Sequence, residues 1–461
     1  MPPSFRKGNA SFLPGLSLVL LILFLVTLWF AGGASRADTL GQVVVRAVAW
    51  LTLIVLALSN LRPRLGDIRP VAALLAATLA LVLLQLAPLP PALWQALPGR
   101  GLLSAAVPGG QPWRPWTMVP GATLNAAASL VVPFTTLLLL ATMTRRDHAW
   151  LLTILLLMVT ASMVLGLLQF SGARFLNPLV NATLGQVSGS FANRNHFALF
   201  LAMGCLLIPV WIFERKGGVR WRGAIGFALL LLFMLTILAS GSRAGLLTGA
   251  LALGGGLAFS WHPLRRELRR APRWVLPVLI ATIVAIVVAL VAVSISADRA
   301  SSIHRAVVGE EGEDMRSRGL STVLAMVATY FPAGSGFGGF DPLFRIHEPF
   351  GLLKPTYFNH AHNDFLEIVL DGGLPAALLL LSAIGWWVIA SVRAWRAPWN
   401  EEHLLARLGS LLLLLVFVAS AFDYPARTPV IMAMIVFAAT WLAQAGKVSP
   451  RFALPAREQH L

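Results

Sequence analysis

Apolar runs of about 17–25 residues, the length that carries a helix across a bilayer, recur along the chain. They fall near 13–33, 43–58, 71–89, 124–143, 149–170, 197–213, 223–240, 244–261, 274–296, 374–392, 404–421 and 428–445. This pattern predicts an all-α polytopic membrane protein with about twelve transmembrane helices in a single integral membrane domain, 1–461. The second run is short and is interrupted by Arg46. The first follows Arg6 and Lys7, as a signal peptide would. It is long for a signal core, and Ala31–Ala37 is a weak cleavage site, so it reads as a span. One long polar segment remains, 297–373. Near its end, Asp371-Gly372-Gly373-Leu374-Pro375 predicts a helix break, with a short surface helix over 362–371 and the span starting near Leu374.

Composition agrees with that reading. Of 461 residues, 57% are hydrophobic and 12% charged, and the mean hydropathy is +0.77. The net charge of +17 raises nucleic-acid binding as a rival. Basic residues, however, lie in short connections between apolar runs rather than on one face of a soluble domain, so no nucleic-acid partner is expected. They set an orientation with both termini inside, and Arg62, Arg64, Arg145, Arg146, Arg265 and Arg266 lie among the inner connections. The outer side then holds 90–123, the loop near 171–195, the turn near 240–243 and the long segment 297–373. In the first of these, Trp113-Arg114-Pro115-Trp116 reads as an interfacial anchor. The single cysteine, Cys205, lies in an apolar run; it permits no intrachain disulfide and is expected to serve packing.

Three outer stretches concentrate polar chemistry. The first is Gly189-Ser190-Phe191-Ala192-Asn193-Arg194-Asn195-His196. The second is Ser240-Gly241-Ser242-Arg243-Ala244-Gly245, which leaves so little loop that Arg243 must open its helix. The third runs from Asn359 through His360, His362, Asn363 and Asp364 to Glu367. An arginine at a span end can simply snorkel to headgroups. Arg194 and Arg243, each beside Asn or Ser donors at a helix N-terminus, also suit a phosphate, and together they suit a diphosphate. His360 and His362 admit three readings: metal ligands with His347 as a third, interfacial hydrogen bonding, or a general base taking a proton from a sugar hydroxyl. In the last, Asp364 or Glu367 orients the imidazole. Asp423-Tyr424-Pro425-Ala426-Arg427 is either a capped polar turn or a fourth wall of the same site. Gly334-Ser335-Gly336-Phe337-Gly338-Gly339 spells a dinucleotide fingerprint without its strand-turn-helix context, and reads as a flexible turn.

These three blocks, in this order and with a long outer loop before the last, resemble the O-antigen ligase and O-antigen polymerase superfamily of bacterial membrane glycosyltransferases. The resemblance implies a helical fold of the lipid-donor glycosyltransferase type. It implies a glycan donor linked to undecaprenyl diphosphate, and an acceptor hydroxyl on lipid A-core, a growing glycan or another molecule. The active site would face the periplasm from the inner membrane, among membrane lipid, with 297–373 as a periplasmic loop contributing to it. Transfer would be inverting, with no metal or other cofactor. By position, His362 would be catalytic together with Arg243 and Arg194. His360, Asn193, Asn195, Ser242, Asn363, Asp364, Asp423 and Arg427 would be substrate-binding. Ligase is the first expectation and a polymerase of O-antigen or exopolysaccharide the second. A lipid-linked glycan flippase or transporter is a rival from another class, disfavoured by polar groups gathered on one side and by the lack of an internal repeat.

Overall fold

A computed structural model describes residues 14–106, 112–173, 177–213, 219–268, 312–353, 358–398 and 403–444, with isolated positions between 272 and 292. The main helices are α1 (Leu16–Ala31), α2 (Leu40–Leu58), α3 (Arg69–Leu84), α4 (Pro120–Ser129), α5 (Val131–Thr142), α6 (Leu151–Phe170), α7 (Arg194–Phe213), α8 (Val219–Ala239) and α9 (Arg243–Leu268). They continue with α10 (Gly312–Tyr330), α11 (Phe340–His347), α12 (Asp364–Arg396), α13 (Leu404–Ser420) and α14 (Pro429–Ala443). A two-residue antiparallel pair joins Pro88–Leu89 to Arg114–Pro115.

Each predicted apolar run except the ninth coincides with a described helix; the ninth lies largely outside the described residues. Length and composition nevertheless qualify only six helical stretches to cross a membrane among the described residues: Leu40–Leu58, Pro120–Thr142, Arg146–Phe170, Arg194–Phe213, Trp221–Ala239 and Asp364–Arg396. The expected count of twelve is not confirmed: α1, α3, α13 and α14 are apolar but hold at most 17 residues, and the ninth run lies largely outside the described residues. The chain leaves the helix early at polar positions. After α3, for example, the buried Gln85 turns its amide to the Asp371 carbonyl and accepts from the Phe337 amide.

The bundle is arranged around α7, which packs against α6, α8, α9 and α13. Small residues let these helices approach: a side chain at Gly204 would collide with Val159 and Phe233, and one at Gly409 would collide with the Ala438 carbonyl of α14.

The segment before α12 is not a loop over its described part. In α10, Val323, Met326 and Tyr330 recur at helical spacing and are buried. In α11, Phe340, Leu343 and Phe344 do the same. With Leu352, Phe358 and Leu370 they form a second apolar cluster, separate from the main core. The turn at 334–339 is fastened rather than flexible. The amides of Ser335 and Gly336 donate to the carbonyls of Leu370 and Asp371, the Gly338 amide donates to the Asp371 carboxylate, and the Ser335 carbonyl accepts from Met118. Its glycines are needed because positions 334, 336 and 338 have positive φ. The Trp-rich segment clips onto this turn: Trp116 donates through Nε1 to the Ala333 carbonyl, and the buried Arg100 donates to the carbonyls of Trp116 and Gly334.

The break before Leu374 falls at Gly373, with φ 60° and ψ −148° inside α12. The helix before it, from Asp364, is not laid on a surface. Asp364, Glu367 and Asp371 are buried because their carboxylates have partners inside the protein, and Leu370 is buried in the second apolar cluster.

Candidate functional site

Arg194 is the first residue of α7 and Arg243 the first of α9. The turn ahead of α9 positions Ser242 to cap that helix: its hydroxyl accepts from the Gly245 amide at 2.9 Å and donates to Asn195 Oδ1 at 2.7 Å. The Arg194 guanidinium lies beside Gly241 of the same turn. The first two sequence blocks therefore meet.

The connection between α13 and α14 brings in the third. Asp423, 1% exposed, accepts through Oδ2 from Asn193 at 3.0 Å and Asn195 at 2.6 Å. Its Oδ1 lies 3.2 Å from His362 Nδ1. An unbroken chain of hydrogen bonds thus runs Ser242–Asn195–Asp423–His362. An ionised Asp423 can only accept, so in this pair His362 donates through Nδ1 and Nε2 is the nitrogen left over. His362 is also the one described non-glycine residue with positive φ, at 52°. Backbone in that region is held there by its surroundings and clusters at functional sites. Here Asn363 helps hold it by capping α12: its side chain accepts from Leu366 and donates to the Ala421 carbonyl.

Expectation and geometry part over the orienting carboxylate. Neither Asp364 nor Glu367 reaches His362. Glu367 instead accepts from His360 Nδ1 at 2.9 Å and from the Ala361 amide at 2.8 Å. Asp364 accepts from Ser420 and the Ala426 amide, and faces Arg427. Arg427 lies 3.1 Å from Glu367, 3.4 Å from Asp364 and 3.7 Å from Asp371. Burial alone would lower its basicity, but the three carboxylates hold it above its ordinary value. His347 bonds to the Tyr330 hydroxyl at 2.8 Å, away from the other histidines.

Tyr424 was not singled out from sequence, yet three imidazoles surround its ring. The centroids of His360, His362 and His196 lie 4.3, 5.0 and 5.1 Å from it. Its scarcity was a usable signal, since the chain has only three tyrosines. His196, buried, hydrogen-bonds Thr428 through Nδ1 at 2.9 Å.

Two cavities adjoin this wall. A polar one of about 310 Å³ is lined by Asn193, Arg194, Asn195, His196, His362 and Tyr424, among others. A larger one of about 540 Å³ carries His360, Arg36, Arg46 and Arg427 in its lining. Ser35, Arg36 and Asn359 line both. Arg243, exposed at the head of α9, lines neither.

Helices of membrane-crossing length, with an acid–histidine cluster gathered at the ends of several of them, fit the class of integral membrane protein that the sequence predicts. Residues 227–381 match the model of a family described as O-antigen ligase, a stretch that includes the second and third sequence blocks but ends before Asp423. The match supports the O-antigen ligase and polymerase superfamily, and with it a membrane glycosyltransferase-type enzyme acting on lipid-linked glycans and their acceptors. No curated protein matches the chain.

Proposed function

We propose that the protein transfers a glycan from undecaprenyl diphosphate to an acceptor hydroxyl at the periplasmic face of the inner membrane, with inversion and without a metal ion. The observation that carries this reading is His362, backed by Asp423 at 3.2 Å, lining one polar cavity together with Arg194. His362 Nε2 removes the proton of the acceptor hydroxyl, and Asp423 stabilises the imidazolium that forms. The acceptor oxygen bonds to the anomeric carbon as the bond from that carbon to the diphosphate oxygen breaks. Arg194, with Arg243 at the cavity's approach, stabilises the departing diphosphate. His360, oriented by Glu367, acts as accessory. Asn193, Asn195 and Ser242 hold Asp423 in register, while Asn363, Asp364 and Arg427 position the histidine-bearing segment.

The test is transfer in detergent by the full-length protein, with undecaprenyl-diphosphate oligosaccharide, candidate acceptors and EDTA. Wild type should form a new glycan–acceptor product that survives EDTA. His362→Ala should lose about 100- to 10,000-fold in rate. Near-normal turnover of that variant removes His362 from the role. Product on lipid A-core identifies a ligase, and a lengthened glycan a polymerase. Donor bound but never consumed favours the transporter reading.

A further inference from the structure

The larger cavity holds a cation that the transfer mechanism does not use. Arg46 lies inside α2, a helix of membrane-crossing length, and faces the protein interior. An arginine in such a position is costly unless it is paired or has a task. The acids around the cavity are already engaged. Asp38 pairs with Arg36, Asp341 with Arg345 and Asp364 with Arg427. Arg46 has no carboxylate within ion-pair distance among the described residues. Its partners are neutral amides, Asn125 Oδ1 at 2.7 Å and, at the limit of hydrogen bonding, Gln42 Oε1 at 3.5 Å. Its Nε is buried without a partner. The charge therefore stands in a cavity large enough for a sugar and an anionic substituent. On other sides the walls are apolar, with Val82, Leu130 and Met432. The two cavities share Ser35, Arg36 and Asn359 in their walls, so a molecule anchored here lies next to the cavity that holds His362.

We propose that this second cavity is the acceptor's anion-recognition site: Arg46 binds a phosphate or carboxylate carried by the acceptor, on a lipid-anchored saccharide whose apolar part lies against α3 and α14. The proposal rests on the transfer reading above, and assigns the two cavities to the two substrates. A guanidinium that lines the cavity and whose terminal nitrogens meet only neutral amides, one of them at 3.5 Å, suits such an oxyanion. An anionic phospholipid headgroup offers the same chemistry, and the experiment separates the two sources.

The experiment measures binding apart from transfer. Detergent-solubilised full-length protein, without donor, is titrated with a phosphate-bearing lipid-anchored oligosaccharide, with its phosphatase-treated form and with a uronic-acid-bearing analogue. Phosphatidylglycerol is the competitor. Wild type should bind an anionic form about tenfold or more tighter than the neutral one, the scale of one charge-assisted hydrogen bond. Arg46→Gln, which keeps an amide for Asn125, should erase the preference, and Arg46→Lys should keep part of it. Binding of the undecaprenyl-diphosphate donor should change less than about twofold in both variants, as expected when no direct contact is removed. Equal binding of anionic and neutral acceptors overturns the proposal. So does a parallel loss of donor binding in Arg46→Gln, or displacement of the acceptor by equimolar phosphatidylglycerol. Selective binding without transfer overturns the transferase reading and leaves the anion site standing; transfer without anion selectivity does the reverse.

Discussion

Two charges, the buried Asp423 and the half-buried Arg427, stand four residues apart in one short connection, and their surroundings could hardly differ more. Arg427 is clamped by three carboxylates that also anchor the first turns of α12. Asp423 is met by two asparagine amides, the Tyr424 amide and the ring of His362. The first arrangement immobilises charge. The second holds a proton where an imidazole can exchange it. Residue type alone says little about which charge performs chemistry; the partners decide.

The sharpest way to break this contrast is Asp423→Asn. An amide cannot stabilise an imidazolium or fix its tautomer as a carboxylate does, so the rate should fall by about 100- to 10,000-fold with little change in donor affinity. Single-turnover transfer and donor titration check both halves. Arg427→Met should do the opposite. Leaving three carboxylates without their cation should cost about 3–5 kcal/mol of stability, seen as a lower unfolding midpoint and poor yield. The molecules that do fold should bind donor normally. Gly373→Ala comes next. The left-handed φ and the contact with the Pro332 carbonyl together should cost about 1–3 kcal/mol, measured by thermal unfolding. The smallest effect is expected from Ser242→Ala, which removes the cap of α9 and the last link to Asn195. About 1 kcal/mol of stability and a rate loss of a few fold should follow. A loss as large as that of Asp423→Asn would show that the whole chain, not its inner end, sets the base.

The helices were legible in the sequence because uniform apolarity over a span-length window is a strong, local signal. Their membrane-crossing count was less so, since where a helix stops depends on partners such as Asp371 and Phe337 for Gln85, distant in sequence. The helix α10 was hidden for another reason: Glu313, Asp314, Arg316 and Arg318 crowd its first turns and leave too short an apolar stretch for a hydropathy reading to pick out. At the site, His362, Arg194, Asn193, Asn195 and Ser242 could be named from short blocks. The pairing of Asp423 with His362, and of Glu367 with His360, could not. Asp364 and Glu367 were the nearest carboxylates along the chain, but the cap at Asn363 turns the helix so that both face Arg427 instead. Proximity in sequence was the wrong guide because His362, with its left-handed backbone, meets Asp423 from a different connection instead.

The elbow at Gly373 has a mechanical consequence. Ahead of it, α12 is bolted to the polar segment through the carbonyls of Leu370 and Asp371. Behind it, Leu374, Leu378 and Leu381 are exposed along a long apolar flank. The two halves thus answer to different surroundings. A thicker or thinner bilayer pulls on the flank, whose natural response is to tilt. The short half takes its bearings from its buried carboxylates and their partners, so the imidazoles should keep their alignment while the rest of the helix adjusts to the lipid.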